Sequence, residues 1–319
     1  MFQKSLSTLP FVDLYICLEG DAAPHFQGSM KGLKKHPNII VPPEYQDDLQ
    51  RLIASIKKNI NDDWAMLDFD GMRMRAVFFR AANGEKWVVL RRVKNLPPPI
   101  DSLGFPPPFV AQLEKLGTQD GLILVCGATG QGKTTTCCSL LLDYMNRYGG
   151  VGFTIEDPVE YNLAGPHGES GYCFQVEVHE DHEWAEMLRR SLRCHPKYIF
   201  IGEICTPDAA NQLLRAATSG HLVIATVHAG SLQEGLEGLL QLAEEFIGER
   251  AKQLLASSLL AVIHQSLGQL GMRSRFAIAG HSNQAAAIRG IIRDSQIGQI
   301  TSISDQQHAQ LSQKDKAII

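Results

Sequence analysis

The sequence of 319 residues lacks a long hydrophobic run, a C-x-x-C pair and a dense block of basic residues. Because no apolar run is long enough to cross a bilayer, the sequence predicts no transmembrane segment, and its first residues lack the apolar core that a signal peptide needs. The seven cysteines, an odd number without paired spacing, argue against a zinc ribbon and favour reduced thiols. We therefore expect a soluble cytoplasmic protein that can still dock peripherally on a membrane complex.

The balance of charge is slightly acidic. The sequence holds 30 Lys and Arg against 34 Asp and Glu, for a formal net charge of -4. Its nearest basic clusters, residues 31–35 and the pair Arg91-Arg92, are short. Since affinity for nucleic acid comes mostly from Lys and Arg that neutralise phosphates, we expect no direct nucleic-acid binding.

Two proline clusters, at 97–99 and 106–108, separate two kinds of sequence pattern. Residues 1–93 mix strand patterns with one helical pattern, which predicts a small α+β domain. The elements predicted in this domain are strands at 11–16, 72–79 and 86–90, a helix at 45–59 and a hairpin turn at Asn83-Gly84. Because proline can continue neither a helix nor a central strand, we predict an interdomain linker at 94–108.

From residue 109 to about 302, apolar runs alternate with helical patterns, which is typical of an α/β domain with a parallel sheet. The runs predicted as buried parallel strands are 122–126, 151–155, 198–201 and 222–226. The helices predicted after them are 249–265 and 285–297. Residues 303–319 are polar and rich in glutamine, so we expect a frayed tail.

A P-loop motif lies between the first of these strands and a helical pattern. Residues 127–134 read Gly-Ala-Thr-Gly-Gln-Gly-Lys-Thr and fit G-x-x-x-x-G-K-[ST] at every fixed position. Backbone N–H groups of such a loop, at the start of a helix, bind phosphate oxygens. Lys133 is predicted to reach the outer phosphates, and the Thr134 hydroxyl to ligate Mg²⁺. The predicted nucleotide-binding residues are Gly127, Thr129, Gly130, Gln131, Gly132, Lys133, Thr134 and Thr135.

Carboxylates follow two other predicted strands. Glu203 follows the apolar run 198–201 in a Walker B pattern, where it can hold Mg²⁺ through water or polarise an attacking water; the alternative is a helix cap. Glu156, Asp157 and Glu160 follow the second strand and belong either to the site or to a solvated turn. Because ligands of open α/β sheets bind at the carboxyl ends of strands, both groups are candidates.

Two histidines flank the fourth predicted strand. His221 precedes this strand and His228 follows it. A histidine at a strand end can sense the γ-phosphate by hydrogen bonding. The alternative is a histidine whose ring nitrogens only form hydrogen bonds within the core.

These motifs, taken in their order along the chain, resemble the secretion-ATPase superfamily of type II secretion, type IV pili and type IV secretion, in particular its PilT-like pilus-retraction ATPases. The resembling segments are the P-loop at 127–134, the Asp box at 153–161, the Walker B region at 188–204, the His box at 219–228, and further stretches at 75–91 and 287–293. The resemblance implies a PAS-like N-terminal domain followed by a RecA-like ATPase domain. It also implies a homo-hexameric ring that binds ATP with Mg²⁺ and works with an inner-membrane platform or secretion-apparatus protein.

The resemblance assigns roles to single residues. It implies that Glu203 activates water with Glu156 or Glu160 assisting, and that His221 and His228 sense the nucleotide. It further implies that arginines of the N-terminal domain reach the phosphates. The positional candidates are Arg73, Arg75, Arg80 and Arg91, which surface positions on alternating strands would explain equally well.

Departures from the family pattern leave open which secretion or pilus machine the protein drives. Cys205 stands where the family usually has arginine, and Ala128 stands where pilus motors typically have proline. The second change resembles DotB/TraJ-type ATPases of type IVB secretion and conjugative transfer. The alternatives are therefore a pilus or secretion ATPase, a DotB/TraJ-type ATPase, and a regulatory protein that binds nucleotide without hydrolysing it.

Overall fold

A computed structural model describes residues 3–28, 38–59, 64–268 and 271–316. The basic cluster at 31–35 lies outside these residues. The chain forms two compact units, Met1–Asn95 and Leu96–Ile319. Within the described ranges, no helix is both long and apolar enough to cross a membrane.

The first unit is an antiparallel sheet covered on one face by a helix. Its strands are β1 (Phe11–Glu19), β2 (His25–Gly28), β3 (Asn38–Ile40), β4 (Trp64–Phe69), β5 (Met72–Arg80) and β6 (Lys86–Arg92), and its helix is α1 (Gln46–Asn59). The strands lie in the order β3-β2-β1-β6-β5-β4, and neighbours pair antiparallel. The α+β architecture that the sequence predicts for this region is confirmed.

Alternation along the strands gives this sheet a buried and an open face. In β5, Met74 and Ala76 belong to the buried cluster that includes α1, whereas Arg73 and Arg75 lie on the opposite face. Gly84 lies in the turn between β5 and β6 with φ of 88°, a left-handed conformation that glycine adopts without a steric penalty.

A sheet with helices on both faces forms the second unit. Its strands are β7 (Gly121–Cys126), β8 (Gly150–Glu156), β9 (Gly165–His167), β10 (Gly171–Glu177), β11 (Tyr198–Ile201), β12 (Leu222–Val227), β13 (Leu259–Gly268) and β14 (Gly271–Ile278). Its helices are α2 (Pro107–Leu116), α3 (Lys133–Tyr148), α4 (Asp181–Ser191), α5 (Pro207–Ala217), α6 (Leu232–Ile247), α7 (Arg250–Ser258), α8 (Ala285–Arg293) and α9 (Ile300–Lys316). The order across the sheet is β14-β13-β7-β12-β11-β8-β10-β9.

The central strands β7, β12, β11 and β8 are parallel and confirm the four apolar runs that the sequence predicts as strands. They are apolar because helices bury both of their faces. One apolar cluster includes α4, α5, α6 and α7, and the other includes α2 and α3. Since the strands are parallel, their carboxyl ends share one edge, where the loops after β7, β8, β11 and β12 come together.

The structure corrects the linker predicted at 94–108. Phe105 is buried in the core of the second unit, and the carbonyl of Pro98 accepts a 2.6 Å hydrogen bond from the Ser139 hydroxyl on α3. Pro107 is the first residue of α2, a position where the missing N–H has no helical partner to lose. The second proline cluster therefore starts a helix and does not form a free hinge.

The tail predicted as frayed at 303–319 is also corrected, because α9 continues to Lys316. Buried residues recur along α9 at Ile303, Ser304, Gln307 and Leu311. The Gln307 amide donates to the carbonyl of Ile278 and accepts from its N–H, both at 2.8 Å. Polar residues occupy part of the buried face, so hydrophobic periodicity did not reveal this helix.

The helix predicted at 249–265 is wrong in its second half. Helix α7 ends at Ser258, and residues 259–263 are buried in β13, beside β7. A short apolar run fits a buried helix and a buried strand equally well by periodicity. The later helix α8 also ends earlier, at Arg293 instead of residue 297.

Candidate functional site

A glycine-rich loop joins β7 to α3 at the carboxyl edge of the sheet, as the P-loop motif predicts. The loop ends at Gly132, and Lys133 is the first residue of α3, which has 16 residues. Gly130 and Gly132 have φ of 75° and 80°, in the left-handed region that favours glycine. The loop therefore turns tightly onto the N-terminus of a long helix, a favourable place for an anion.

Strand β13 holds this loop in place from the side. The Gln265 Nε2 donates a 2.8 Å hydrogen bond to the carbonyl of Gln131, and the Leu267 N–H donates to the Gln131 side chain. A methyl group added to Gly127 would lie 2.6 Å from the carbonyl oxygen of Gln265, so only glycine fits there. Sequence reasoning missed Gln265 because this stretch was predicted as a helix and no local motif marks it.

A chain of contacts links the P-loop to the Walker B and His boxes. The Lys133 Nζ donates to the carbonyls of Gly127 at 2.8 Å and Ala128 at 3.1 Å, and it lies 3.3 Å from the His228 Nδ1. The His228 Nε2 lies 3.0 Å from the Glu203 Oε1. Because an ammonium group only donates, Nδ1 acts as the acceptor, and Nε2–H donates to the carboxylate. The geometry thus assigns the neutral Nε2–H tautomer to His228.

Carboxylates face Lys133 from two other loops. Burial lowers the pKa of Lys133, while the charges of Glu203 and Glu160 oppose that shift. Glu203 lies in the loop after β11, and Glu160 in the loop after β8. The structure therefore brings together the P-loop lysine and candidate residues from three other strand ends.

Thr206, and not Glu203, caps α5. The Thr206 hydroxyl accepts a 3.3 Å hydrogen bond from the N–H of Ala209, which excludes the alternative that Glu203 serves as the helix cap. The Glu203 side chain is 43% exposed beside His228, so water can reach it. Cys205, the departure from the family pattern, is also exposed.

Glu156 is buried at the end of β8. Its Oε1 accepts hydrogen bonds from the Thr154 hydroxyl at 2.6 Å and from the Gln175 Nε2 at 3.0 Å. Burial raises the pKa of Glu156 to about 7, so its protonation changes near neutral pH. The solvated-turn alternative therefore does not apply to Glu156, whereas Asp157 and Glu160 are exposed in the loop that follows.

Two threonines of the P-loop, Thr134 and Thr135, lie in the first turn of α3. The Thr135 hydroxyl lies 3.0 Å from the hydroxyl of Tyr161, which comes from the loop after β8. Thr134 is half-buried beside it, and Thr129 is exposed in the loop. The contact between Thr135 and Tyr161 ties the acidic loop to the start of the P-loop helix.

The donor set fits magnesium bound together with a nucleotide. In the part of the chain that the structure describes, no group of three or more His, Cys, Asp or Glu could hold a metal ion. Mg²⁺ at nucleotide sites takes only one or two protein oxygens, since phosphates and waters supply the rest. The Thr134 hydroxyl and the Glu203 carboxylate are oxygen donors of this kind.

The structure does not place His221 in the same site as His228. His221 precedes β12, and its Nδ1 lies 2.7 Å from the carbonyl of Pro196. At about 3.3 Å per residue, the two ends of this strand lie about 20 Å apart. The structure therefore places His228, and not His221, beside the P-loop of the same chain. The role of either histidine as a nucleotide sensor stays a prediction.

The candidate arginines lie in the first unit and differ in their contacts. Arg91 donates from Nε and Nη2 to the Asp13 carboxylate at 2.6 and 3.1 Å. Arg80 pairs with Glu19 at 3.0 Å. Arg75 lies opposite Arg91 in the ladder of β5 and β6, and among the described residues nothing accepts a hydrogen bond from its buried Nε.

Residues 64–307 match the family model described as type II/IV secretion system protein. The chain belongs to this family. It is 30% identical to the uncharacterized protein YggR of Escherichia coli over 298 residues, which cover 91% of this chain and 87% of YggR. It is 35% identical to the type IV pilus retraction ATPase PilT of Pseudomonas aeruginosa over 187 residues, but these cover only 57% of this chain and 52% of PilT.

Solved structures show the same fold over most of the chain. The pilus retraction motor PilT with bound ADP aligns with a TM-score of 0.69 and 28% identity, covering 92% of this chain and 85% of PilT. The ATPase DotB of Legionella pneumophila aligns with the same TM-score of 0.69 at 18% identity, covering 92% of this chain and 85% of DotB. The resemblance inferred from the sequence boxes is confirmed, as is the fold of a PAS-like domain followed by a RecA-like P-loop domain.

Proposed function

We propose that this chain is a Mg²⁺-dependent ATPase that works as a homo-hexameric ring and powers a type IV pilus or a related secretion machine. The observation that carries this proposal is the contact chain from Lys133 through His228 to Glu203. It joins a phosphate-binding loop to a carboxylate that is open to water. Membership in the family of type II/IV secretion system proteins supports it further, as does the fold shared with the pilus retraction motor PilT.

The P-loop residues would bind the phosphates of ATP. Backbone N–H groups of residues 127–135 would bind the phosphates at the N-terminus of α3. The Lys133 ammonium would exchange its bonds to loop carbonyls for bonds to phosphate oxygens. The Thr134 hydroxyl directly, and Glu203 through water, would hold Mg²⁺, which supplies charge neutralisation to the phosphates.

Glu203 would act as the general base. Its carboxylate takes a proton from the water whose oxygen bonds to the γ-phosphorus, while the bond from that phosphorus to the bridging oxygen of ADP breaks. His228 holds this carboxylate by the 3.0 Å contact and also contacts Lys133. His228 is thereby placed to couple the position of the base to the phosphate-binding lysine. Glu156 or Glu160 would assist Glu203 in activating the water.

Arginines of the first unit would complete the site when the domains close in a ring, so that hydrolysis drives domain motion. Arg75 is the strongest of these candidates, because its Nε is uncommitted within the described residues. Arg91 would first have to leave Asp13, and Arg80 would have to leave Glu19.

The partner that we propose is an inner-membrane platform or secretion-apparatus protein, with the ring on the cytoplasmic side of that membrane. The name of the relative PilT, a type IV pilus retraction ATPase, supports a pilus or secretion apparatus as the partner. The net charge of -4 and the lack of a dense basic block support protein docking over direct contact with nucleic acid.

Phosphate release by the assembled protein with ATP and Mg²⁺ tests the proposal. Wild type should hydrolyse ATP, and Lys133→Ala should not. Glu249→Gln changes an exposed glutamate directly before α7, outside the candidate site, and should match wild type. A wild type that binds ATP without releasing phosphate would contradict the proposal and support the non-hydrolysing alternative.

A further inference from the structure

The acidic loop after β8 is held by a strand that follows it in sequence. Strand β10 pairs with β8 in parallel register, so that Gln175 lies opposite Thr154 and Glu177 lies opposite Glu156. Because neighbours in register share a face, these four side chains lie on the same side of the sheet. The loop at 157–164 begins directly after Glu156, the last residue of β8.

The Gln175 amide uses all of its hydrogen-bonding capacity there. Its Nε2 donates to the Glu156 Oε1 and to the carbonyl of Tyr161, each at 3.0 Å. Its Oε1 accepts from the N–H of Leu163 at 2.6 Å and of Ala164 at 2.8 Å. One side chain thus joins the buried carboxyl group to three points of the loop backbone.

A second contact from β10 holds the first half of the loop. The Glu177 Oε2 accepts a 3.3 Å hydrogen bond from the N–H of Val159. Between Val159 and Tyr161 lies Glu160, whose charge acts on the P-loop lysine. Both neighbours of Glu160 in the chain are therefore anchored to β10, while Glu160 itself is exposed.

We propose that Gln175 is a positioning residue for ATP turnover, which fixes Glu156 and the loop that carries Glu160 against the P-loop helix. Gln175 touches no substrate and acts through the residues that it holds. This inference rests on the proposed ATPase function and adds to it a residue that no sequence motif marks.

Two substitutions separate the donor and acceptor roles of this amide. Gln175→Met keeps an unbranched side chain of similar length but loses all four hydrogen bonds. Gln175→Glu still accepts from Leu163 and Ala164, but a carboxylate donates neither to Glu156 nor to the Tyr161 carbonyl. The matched control is Gln307→Met, which removes an amide with two backbone hydrogen bonds on α9, away from the loop.

Steady-state phosphate release and amide hydrogen exchange are measured on all of these variants. We expect Gln175→Met to lower kcat about tenfold or more relative to Gln307→Met, with the KM for ATP changed by less than about threefold. The amides of Leu163 and Ala164 should exchange faster in Gln175→Met only. Gln175→Glu should keep those amides protected and still lose kcat, because Glu156 loses its donor.

Two results would overturn the inference. One is a kcat in Gln175→Met within about twofold of Gln307→Met; the other is unchanged exchange at Leu163 and Ala164. A wild type without phosphate release would instead remove the proposed function, and the exchange data alone would then decide whether Gln175 holds the loop.

Discussion

Replacing His228 with alanine should separate nucleotide binding from turnover. The change removes two contacts at once, the 3.3 Å contact with the Lys133 Nζ and the 3.0 Å contact with the Glu203 Oε1. Lys133 keeps its bonds to the loop carbonyls of Gly127 and Ala128. The P-loop should therefore stay formed, while the carboxylate that we propose as the base loses its 3.0 Å contact with His228.

The structure sets the expected magnitudes. The side chains of His228 and Glu203 are 44% and 43% exposed, so losing their contact should lower the free energy of unfolding by no more than about 1 kcal/mol. The effect on rate should be larger, because a displaced general base costs about 10- to 100-fold in kcat. The KM for ATP should change much less than kcat.

Phosphate release at varied ATP gives kcat and KM, and denaturant unfolding gives stability. His228→Gln is the matched variant, because its amide can accept from Lys133 and donate to Glu203, so it should retain more of kcat than His228→Ala. Wild-type kcat in His228→Ala would refute the proposed link between lysine and carboxylate. A large loss of folding stability would show that His228 acts mainly on the fold.

Three further changes probe other parts of the account. Gly127→Ala places a methyl group 2.6 Å from the Gln265 carbonyl oxygen, so it should weaken ATP binding and lower Tm. The control is Gly238→Ala in α6, where a methyl group would meet nothing within 4 Å and should raise stability by up to about 1 kcal/mol. Equal Tm values for the two variants would contradict the close packing at Gly127. Burial raises the pKa of Glu156 from 4.5 to about 7, so the folded state binds the proton more tightly and stability should fall as pH rises between those values. Glu156→Gln should flatten that part of the curve in denaturant unfolding, and an unchanged slope would argue against the raised pKa. Ile300→Ala, at the fully buried start of α9, should destabilise by about 2–5 kcal/mol; urea unfolding with no such loss would show that α9 adds little to the core.

Local sequence patterns predicted the P-loop and the four central parallel strands correctly. The P-loop is specified by residues next to each other in the chain, and the central strands are apolar runs bounded by turns. Glu203 and His228 were found because each follows a predicted strand, and parallel strands bring their carboxyl ends to one edge. The same rule places His221 at the opposite edge, because it precedes its strand.

The supporting glutamines could not be found in this way. Gln265 and Gln175 reach their partners from strands that the sequence did not predict as such. Gln265 bonds to Gln131, 134 positions earlier in the chain, and the partners of Gln175 lie 11 to 19 positions earlier, outside its own strand. Helix α9 was missed for a related reason, since its buried Ser304 and Gln307 look like surface residues in the sequence. A pattern of apolar residues does not identify polar side chains that are buried and hydrogen-bonded.

ATP binding and phosphate release, measured on one preparation of Glu203→Gln, decide whether Glu203 is the general base. The substitution keeps the shape of the side chain and removes only its ability to take a proton from water. We expect ATP affinity within about threefold of wild type and a kcat lowered at least about 100-fold. Phosphate release at the wild-type rate would contradict the assignment of Glu203 as the base in this site.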